Sequence, residues 1–161
     1  EIDLWMQTSR EIKGVDPEYA LRDVLKRIRF KIGEKQLESE IWYQKLDEDA
    51  REKYRESGKN LMQSLASYLS AEGEDASAEA RSLGYEYASR GRRYGLKLID
   101  ATRAFLFFRN ALLEAMIAVY LDARVSDTGS WGEMLTSLHG FTDQTMISLM
   151  ETYEAFENNN R

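Results

Sequence analysis

The chain has no cysteine, one proline and one histidine in 161 residues. Without thiols there is no disulfide framework, thiolate zinc site, iron–sulfur cluster or cysteine nucleophile. The lone His139 excludes multi-histidine metal sites. Pro17 stands near the start, so nothing after it forbids long helices. No Asn-Gly or Asp-Gly hairpin signal occurs, and no segment alternates polar and apolar residues for long. No run reaches 18 apolar residues; the nearest, Ala104 to Leu121, is broken by Arg109, Asn110 and Glu114. No basic start leads into an apolar run, as a signal peptide would need. The expectation is a cytoplasmic protein with no membrane contact. The first residue is Glu1 rather than Met, which reads as a processed or excised piece.

What is present describes a globular protein. Hydrophobic residues make up 43% and charged residues 31%. The length fits one domain, 1–161. The net charge of −6 argues against direct nucleic-acid binding, which favours basic surfaces.

The pattern is helical throughout, predicting an all-α fold of five or six helices, packed as a bundle or in a globin-like way. Residues 1–15 read as a leader helix or linker. Asp16-Pro17-Glu18 is a helix start, followed by Leu21, Val24, Leu25, Ile28 and Ile32 at helical spacing. Leu37, Ile41 and Trp42 continue that stripe. Asp47-Glu48-Asp49 marks a new N-terminus, and Tyr54, Leu61, Leu65, Tyr68 and Leu69 line the helix after it. A polar loop is expected over 72–77. A helix from about Ala78 to Arg90 follows, with Leu83, Tyr87 and Ala88 inward and Gly91 as C-cap.

The segment from Leu98 to about Leu121 has two apolar faces. Phe105, Phe108, Leu112 and Val119 lie on one; Leu106, Leu113, Ile117 and Tyr120 lie on the other. Such a helix is expected to be central and the most buried. After a turn at Ser126 to Ser130, the last helix carries Trp131, Leu135, Leu138, Thr142, Thr145, Leu149 and Tyr153 in a near-heptad seam. Phe141, Met146 and Met150 widen it, and residues 156–161 are expected to fray.

Few residues carry chemistry. His139 lies too close to the C-terminal end for a globin-type haem ligand, and no haem or other cofactor is expected. Glu34/Glu38 and Glu52/Glu56 have i,i+4 spacing, but no Glu-x-x-His motif accompanies them, so solvated faces explain them better than a di-iron site. No metal site and no catalytic residue is expected. Arg90, Arg92, Arg93 and Lys97 form a basic cluster with no acid between Glu86 and Asp100. They either complement a helix C-terminus or receive an anion or partner. Tyr85 and Tyr87 flank this junction and could both line a cavity. Arg109, inside a run of apolar residues, needs an acidic partner such as Glu86 or Glu114, or serves as a polar anchor in a pocket or interface. Tyr85, Tyr87, Arg93, Arg109, Trp131 and Phe141 are therefore the candidate ligand or interface residues.

Leu83-Gly84-Tyr85-Glu86-Tyr87-Ala88, Gly91, Gly95-Leu96-Lys97-Leu98 and the run Ala101 to Glu114 together resemble the helical sensor-like domains grouped with the N-terminal domain of RsbRD. The similarity extends to the domain that follows an excisionase- or MerR-type helix-turn-helix in bacterial transcriptional regulators. It is best over residues 80–155. The resemblance implies a non-haem, globin-like or bundle domain that regulates or dimerises beside an output domain, with no catalytic residues. The expected function is a regulatory, homodimerising module of a transcriptional or stress-signalling protein, its helix-turn-helix lying outside this chain. The alternative is a small-ligand sensor with an apolar cavity between the central helix and the Leu83–Arg90 helix.

Overall fold

The computed structural model describes residues 26–27, 35–56, 60, 64, 74–122 and 128–160. All regular structure among them is helical, as the periodicity predicts. Two short helices, α1 (Lys35–Glu38) and α2 (Ile41–Gln44), lead into the helical stretch α3 (48–56). Three long helices follow: α4 (Glu74–Arg93), α5 (Leu98–Asp122) and α6 (Thr128–Asn159). The expected leader at 1–15, the Asp16-Pro17-Glu18 start and the apolar positions Leu21, Val24, Leu25, Ile28, Ile32, Leu61, Leu65, Tyr68 and Leu69 lie outside the described residues.

The start predicted at Asp47 is present. Its carboxylate oxygen Oδ1 accepts the Ala50 amide at 2.8 Å, satisfying one free donor of the first turn of α3. The stripe predicted to run on through Leu37 and Trp42 is instead broken at Ser39 and Glu40. The Ser39 hydroxyl donates to the Gln36 carbonyl at 2.7 Å, drawing the chain into a turn. α4 begins at Glu74, inside the stretch expected to be a loop. Nor does it end at Gly91. It runs to Arg93, and Gly95 supplies the left-handed residue at φ +74°. The Leu96 amide donates to the Gly91 carbonyl at 2.8 Å and the Gly95 amide to the Arg92 carbonyl at 3.1 Å. These two bonds form a Schellman closure, and only Gly95 needs the positive φ that glycine adopts without strain.

Gly91 has a different role, shared with Gly84 two turns before it. A side chain at Gly84 would strike the Thr145 carbonyl and, at 2.6 Å, the Ser148 Cβ. A side chain at Gly91 would strike the Tyr153 hydroxyl. Both glycines let α4 lie directly on α6. The contact is fastened at two points: the Ser148 hydroxyl donates to the Arg81 carbonyl at 2.8 Å, and the Tyr153 hydroxyl to the Leu96 carbonyl at 3.0 Å. The predicted seam of α6 faces inward here: Leu138, Thr142, Thr145, Leu149 and Tyr153 are all buried. The tail expected to fray from 156 stays helical through Asn159.

α5 touches α2, α4 and α6, so it is central, as expected. Its Phe105, Phe108 and Leu112 are fully covered. They join Tyr87 of α4 and Trp42 of α2 in an aromatic core. Tyr87 meets Phe105 edge-on at 5.4 Å between centroids, and Trp42 meets Tyr54 at 5.3 Å. The first turn of α5 is tied to α2 by a buried carboxylate. Asp100 accepts the Lys45 ammonium at 2.7 Å, with Arg103 at 3.7 Å on its other oxygen.

Candidate functional site

The second apolar face of α5 is not covered like the first. Ile99, Arg103, Leu106, Asn110, Leu113 and Ile117 follow one another at steps of 4, 3, 4, 3 and 4. At 3.6 residues per turn they form one stripe along the helix, opposite Phe105, Phe108 and Leu112. Ile99 is 55% exposed and Ile117 is 49% exposed; Leu106 and Leu113 between them are half-buried. The expectation that both faces are buried thus holds for one face only. Val119 and Tyr120 extend these faces in sequence, but their side chains lie outside those described. The middle of the stripe opens into a cleft of about 430 Å³: Arg103, Leu106 and Asn110 line it with Phe107, Ala111 and Glu114 of α5, and Gln36 and Glu40, before α2, form its other wall.

Arg109 takes a different partner from those expected. Its Nη2 donates to Asn110 Oδ1 at 3.3 Å, rather than to Glu86 or Glu114. Its Nε is buried without a hydrogen-bond partner. The side chain lies half-buried next to the stripe, with its polar end directed to a member of it.

A second depression, of about 300 Å³, lies where α3 meets the C-terminal half of α4. Arg90 and Arg93 of α4 enter it with Lys53 of α3. The rings of Tyr85 and Tyr94 wall it, and Ser89 and Glu86 complete the lining. The Arg90 guanidinium rests over the rings of Tyr54 at 5.6 Å and Tyr87 at 5.8 Å. The Tyr94 hydroxyl donates to Asp49 Oδ2 at 3.3 Å, joining the loop after α4 to α3. The basic cluster is divided. Arg92 turns away onto the Phe156 ring of α6 at 4.3 Å, and Lys97 stays exposed in the loop.

The structure therefore separates residues that the sequence grouped. Tyr85 is 58% exposed and lines the cleft, whereas Tyr87 lies in the core, because residues two apart on a helix point to opposite sides. Between α5 and α4, where the sensor alternative places its cavity, Tyr87 packs against Phe105 and Phe108, and all three are buried. Phe141 is fully buried within the chain and has no surface to offer an interface. Trp131 lies within α6, and its side chain is outside those described. His139 is exposed on α6, and the described members of the spaced glutamate pairs, Glu38, Glu52 and Glu56, are exposed too. No group of three or more potential metal ligands occurs among the described residues. Likewise, no described helix is long and apolar enough to cross a membrane.

Lys53 and Asp100 were missed by the sequence reading. Lys53 lines the depression with Arg90 and Arg93, and Asp100 pairs with Lys45; these partners lie far apart in the chain, and no local pattern announces such convergence. The open stripe did have a signal: Leu106, Leu113 and Ile117 belong to the second apolar face, from which a buried central helix is expected. Two elements shape the tyrosines. Burial, with the Asp100 carboxylate nearby, pushes the Tyr153 phenol up to about 12; burial also raises Tyr54 well above the ordinary tyrosine value.

Comparison with family models, curated proteins and solved structures finds no match to this chain.

Proposed function

We propose that the chain is a non-catalytic regulatory module that pairs with a second copy of itself through the outer face of α5. The supporting observation is the open stripe from Ile99 to Ile117. A helix already seated in its own core by one face has no intrachain need for a second seam of this regularity. The stripe is also self-complementary. It is symmetric about position 108, so an antiparallel two-fold pairing sets Ile99 of one copy over Ile117 of the other. The same pairing sets Leu106 against Asn110 and brings Arg103 of one copy beside Glu114 of the other. Opposite charges flanking an apolar seam fix the register and exclude the parallel arrangement. The interface is placed on the central helix; the last one uses Phe141 and its inner seam within the chain, though its Ile147 and Met150 stay exposed.

In this reading the paired helices transmit a signal to an output domain. The resemblance to RsbRD-type domains supports a bacterial transcriptional or stress-signalling protein as the setting, with DNA contacted by an attached or partner helix-turn-helix. The stripe spans about 27 Å of helix, a modest contact for a stable dimer, so association at micromolar concentration is expected. Light scattering from micromolar to near-millimolar concentration tests it. The mass rises toward twice 18.7 kDa for the native chain and stays at one chain for Ile117→Glu. A native mass fixed at one chain throughout would overturn the proposal.

A further inference from the structure

We infer that the cleft between α5 and the α1–α2 segment is a binding site for a small amino-acid zwitterion, one ammonium and one carboxylate carried on an apolar carbon body. Two opposite charges line it without meeting: Arg103 on the α5 wall and Glu40 on the other. Among the described residues Arg103 pairs only with Asp100, at 3.7 Å, and the Glu40 carboxylate is in no ion pair. The Asp100 contact is a loose one, because the other oxygen of that carboxylate already takes the Lys45 ammonium at 2.7 Å. Glu40 is the sharper case. It occupies the N-cap position of α2, where a side-chain oxygen can accept a backbone amide, yet its side chain makes no capping bond. It is half-buried all the same. A fully exposed acid without a partner is simply solvated. A half-buried acid that neither caps nor pairs has lost part of its water and gained no partner.

The rest of the lining suits the same ligand. Leu106 and Phe107 are half-buried and Ala111 is buried, which gives the α5 side an apolar floor. Asn110 Oδ1 already accepts from Arg109, and its amide N–H groups remain to donate. A guanidinium fork matches a carboxylate edge, and a carboxylate is the acceptor that an ammonium needs. A ligand of single charge would leave one of the two residues unmatched. Glu114, the other carboxylate of the lining, has an interaction of its own and is not needed for the ammonium. The volume of about 430 Å³ is that of a small-molecule pocket. Arg103, Leu106 and Asn110 belong to the α5 stripe too, so this is a site of the unpaired chain and binding does not depend on the pairing.

The 161-residue chain is titrated by ¹H–¹⁵N NMR at a concentration where light scattering gives a single-chain mass, so failure of the binding and failure of the pairing are told apart. The probes are leucine, 6-aminohexanoate, hexanoate and hexylamine. Leucine or 6-aminohexanoate, or both, should give saturable shifts at the Glu40, Asn110 and Ala111 amides; the tighter of the two reports the spacing of the charges. Hexanoate and hexylamine, each lacking one charge, should bind at least about tenfold more weakly. Arg103→Gln should lose at least about tenfold for the zwitterion and nothing for hexylamine. Glu40→Gln should lose as much for the zwitterion and nothing for hexanoate. That opposite pattern separates a lost charge from a disturbed fold, which would weaken every probe. The inference is overturned if neither zwitterion saturates, if a singly charged probe binds as tightly as the better zwitterion, or if either variant binds that zwitterion as the native chain does.

Discussion

The α4–α6 contact and the outer face of α5 are built from the same kinds of helix and end in opposite states. Between α4 and α6 the surfaces are closed to the limit of atomic contact: glycine at 84 and 91, threonines and Ser148 opposite, and hydroxyls spent on backbone carbonyls. On the outer face of α5, Ile99 and Ile117 stand about half in solvent beside Arg103 and Asn110, while Leu106 and Leu113 between them lean half-buried against the core. The closed surface uses small residues because its partner is always present and can be approached to backbone distance. The open one uses isoleucine and leucine, which contribute most when a partner removes them from water. On the proposed pairing, the contrast separates a contact that holds the chain together from one left for a second copy.

Several substitutions break or sharpen that contrast. Phe108→Ala, in the closed interior, empties a site covered by α2, α4 and α5 aromatics and should cost about 3–5 kcal/mol in urea unfolding. Gly84→Ala should cost about 1–3 kcal/mol, although alanine favours a free helix, because the methyl meets backbone on α6. Tyr153→Phe should cost about 1 kcal/mol at neutral pH through the lost bond to Leu96. It also changes the alkaline limb. The folded phenol keeps its proton up to about 12, while the unfolded one releases it near 10. The group's contribution is therefore full below pH 10 and is lost as pH rises toward 12. A urea midpoint series from pH 9 to 12 should decline less steeply in the variant. Ile117→Glu, on the open face, should change unfolding of the single chain by no more than about 0.5 kcal/mol. The same substitution should remove self-association in light scattering.

Much of this was legible in the sequence because it depends on local periodicity. The inward positions Leu83, Tyr87 and Ala88, the seam from Leu138 to Tyr153 and the cap at Asp47 all follow from spacing and local hydrogen-bonding chemistry. Two apolar faces on α5 were legible too; which one the chain would cover was not, since periodicity shows that a side is apolar and not what meets it. The cap expected at Gly91 falls on Gly95 because a close approach and a positive φ both select glycine, and only the packing of Tyr153 separates them. The candidate sites were least legible. Lys53 meets Arg90 and Arg93 across the fold, and Lys45 meets Asp100 across 55 residues. Tyr85 and Tyr87, adjacent in the sequence pattern, parted to solvent and core.

The central claim is the antiparallel pairing of α5, and distance measurement between copies tests it most directly. The chain has no native cysteine, so a single spin label can be placed through Asn110→Cys or Ile99→Cys without interference. Pulsed electron resonance on each variant should show a short separation for the label at 110, close to the two-fold centre. The label at 99 should give a separation roughly 20 Å longer, from the rise of 1.5 Å per residue. Equal separations at both positions, or no dipolar signal at concentrations where the native mass has doubled, would contradict the account.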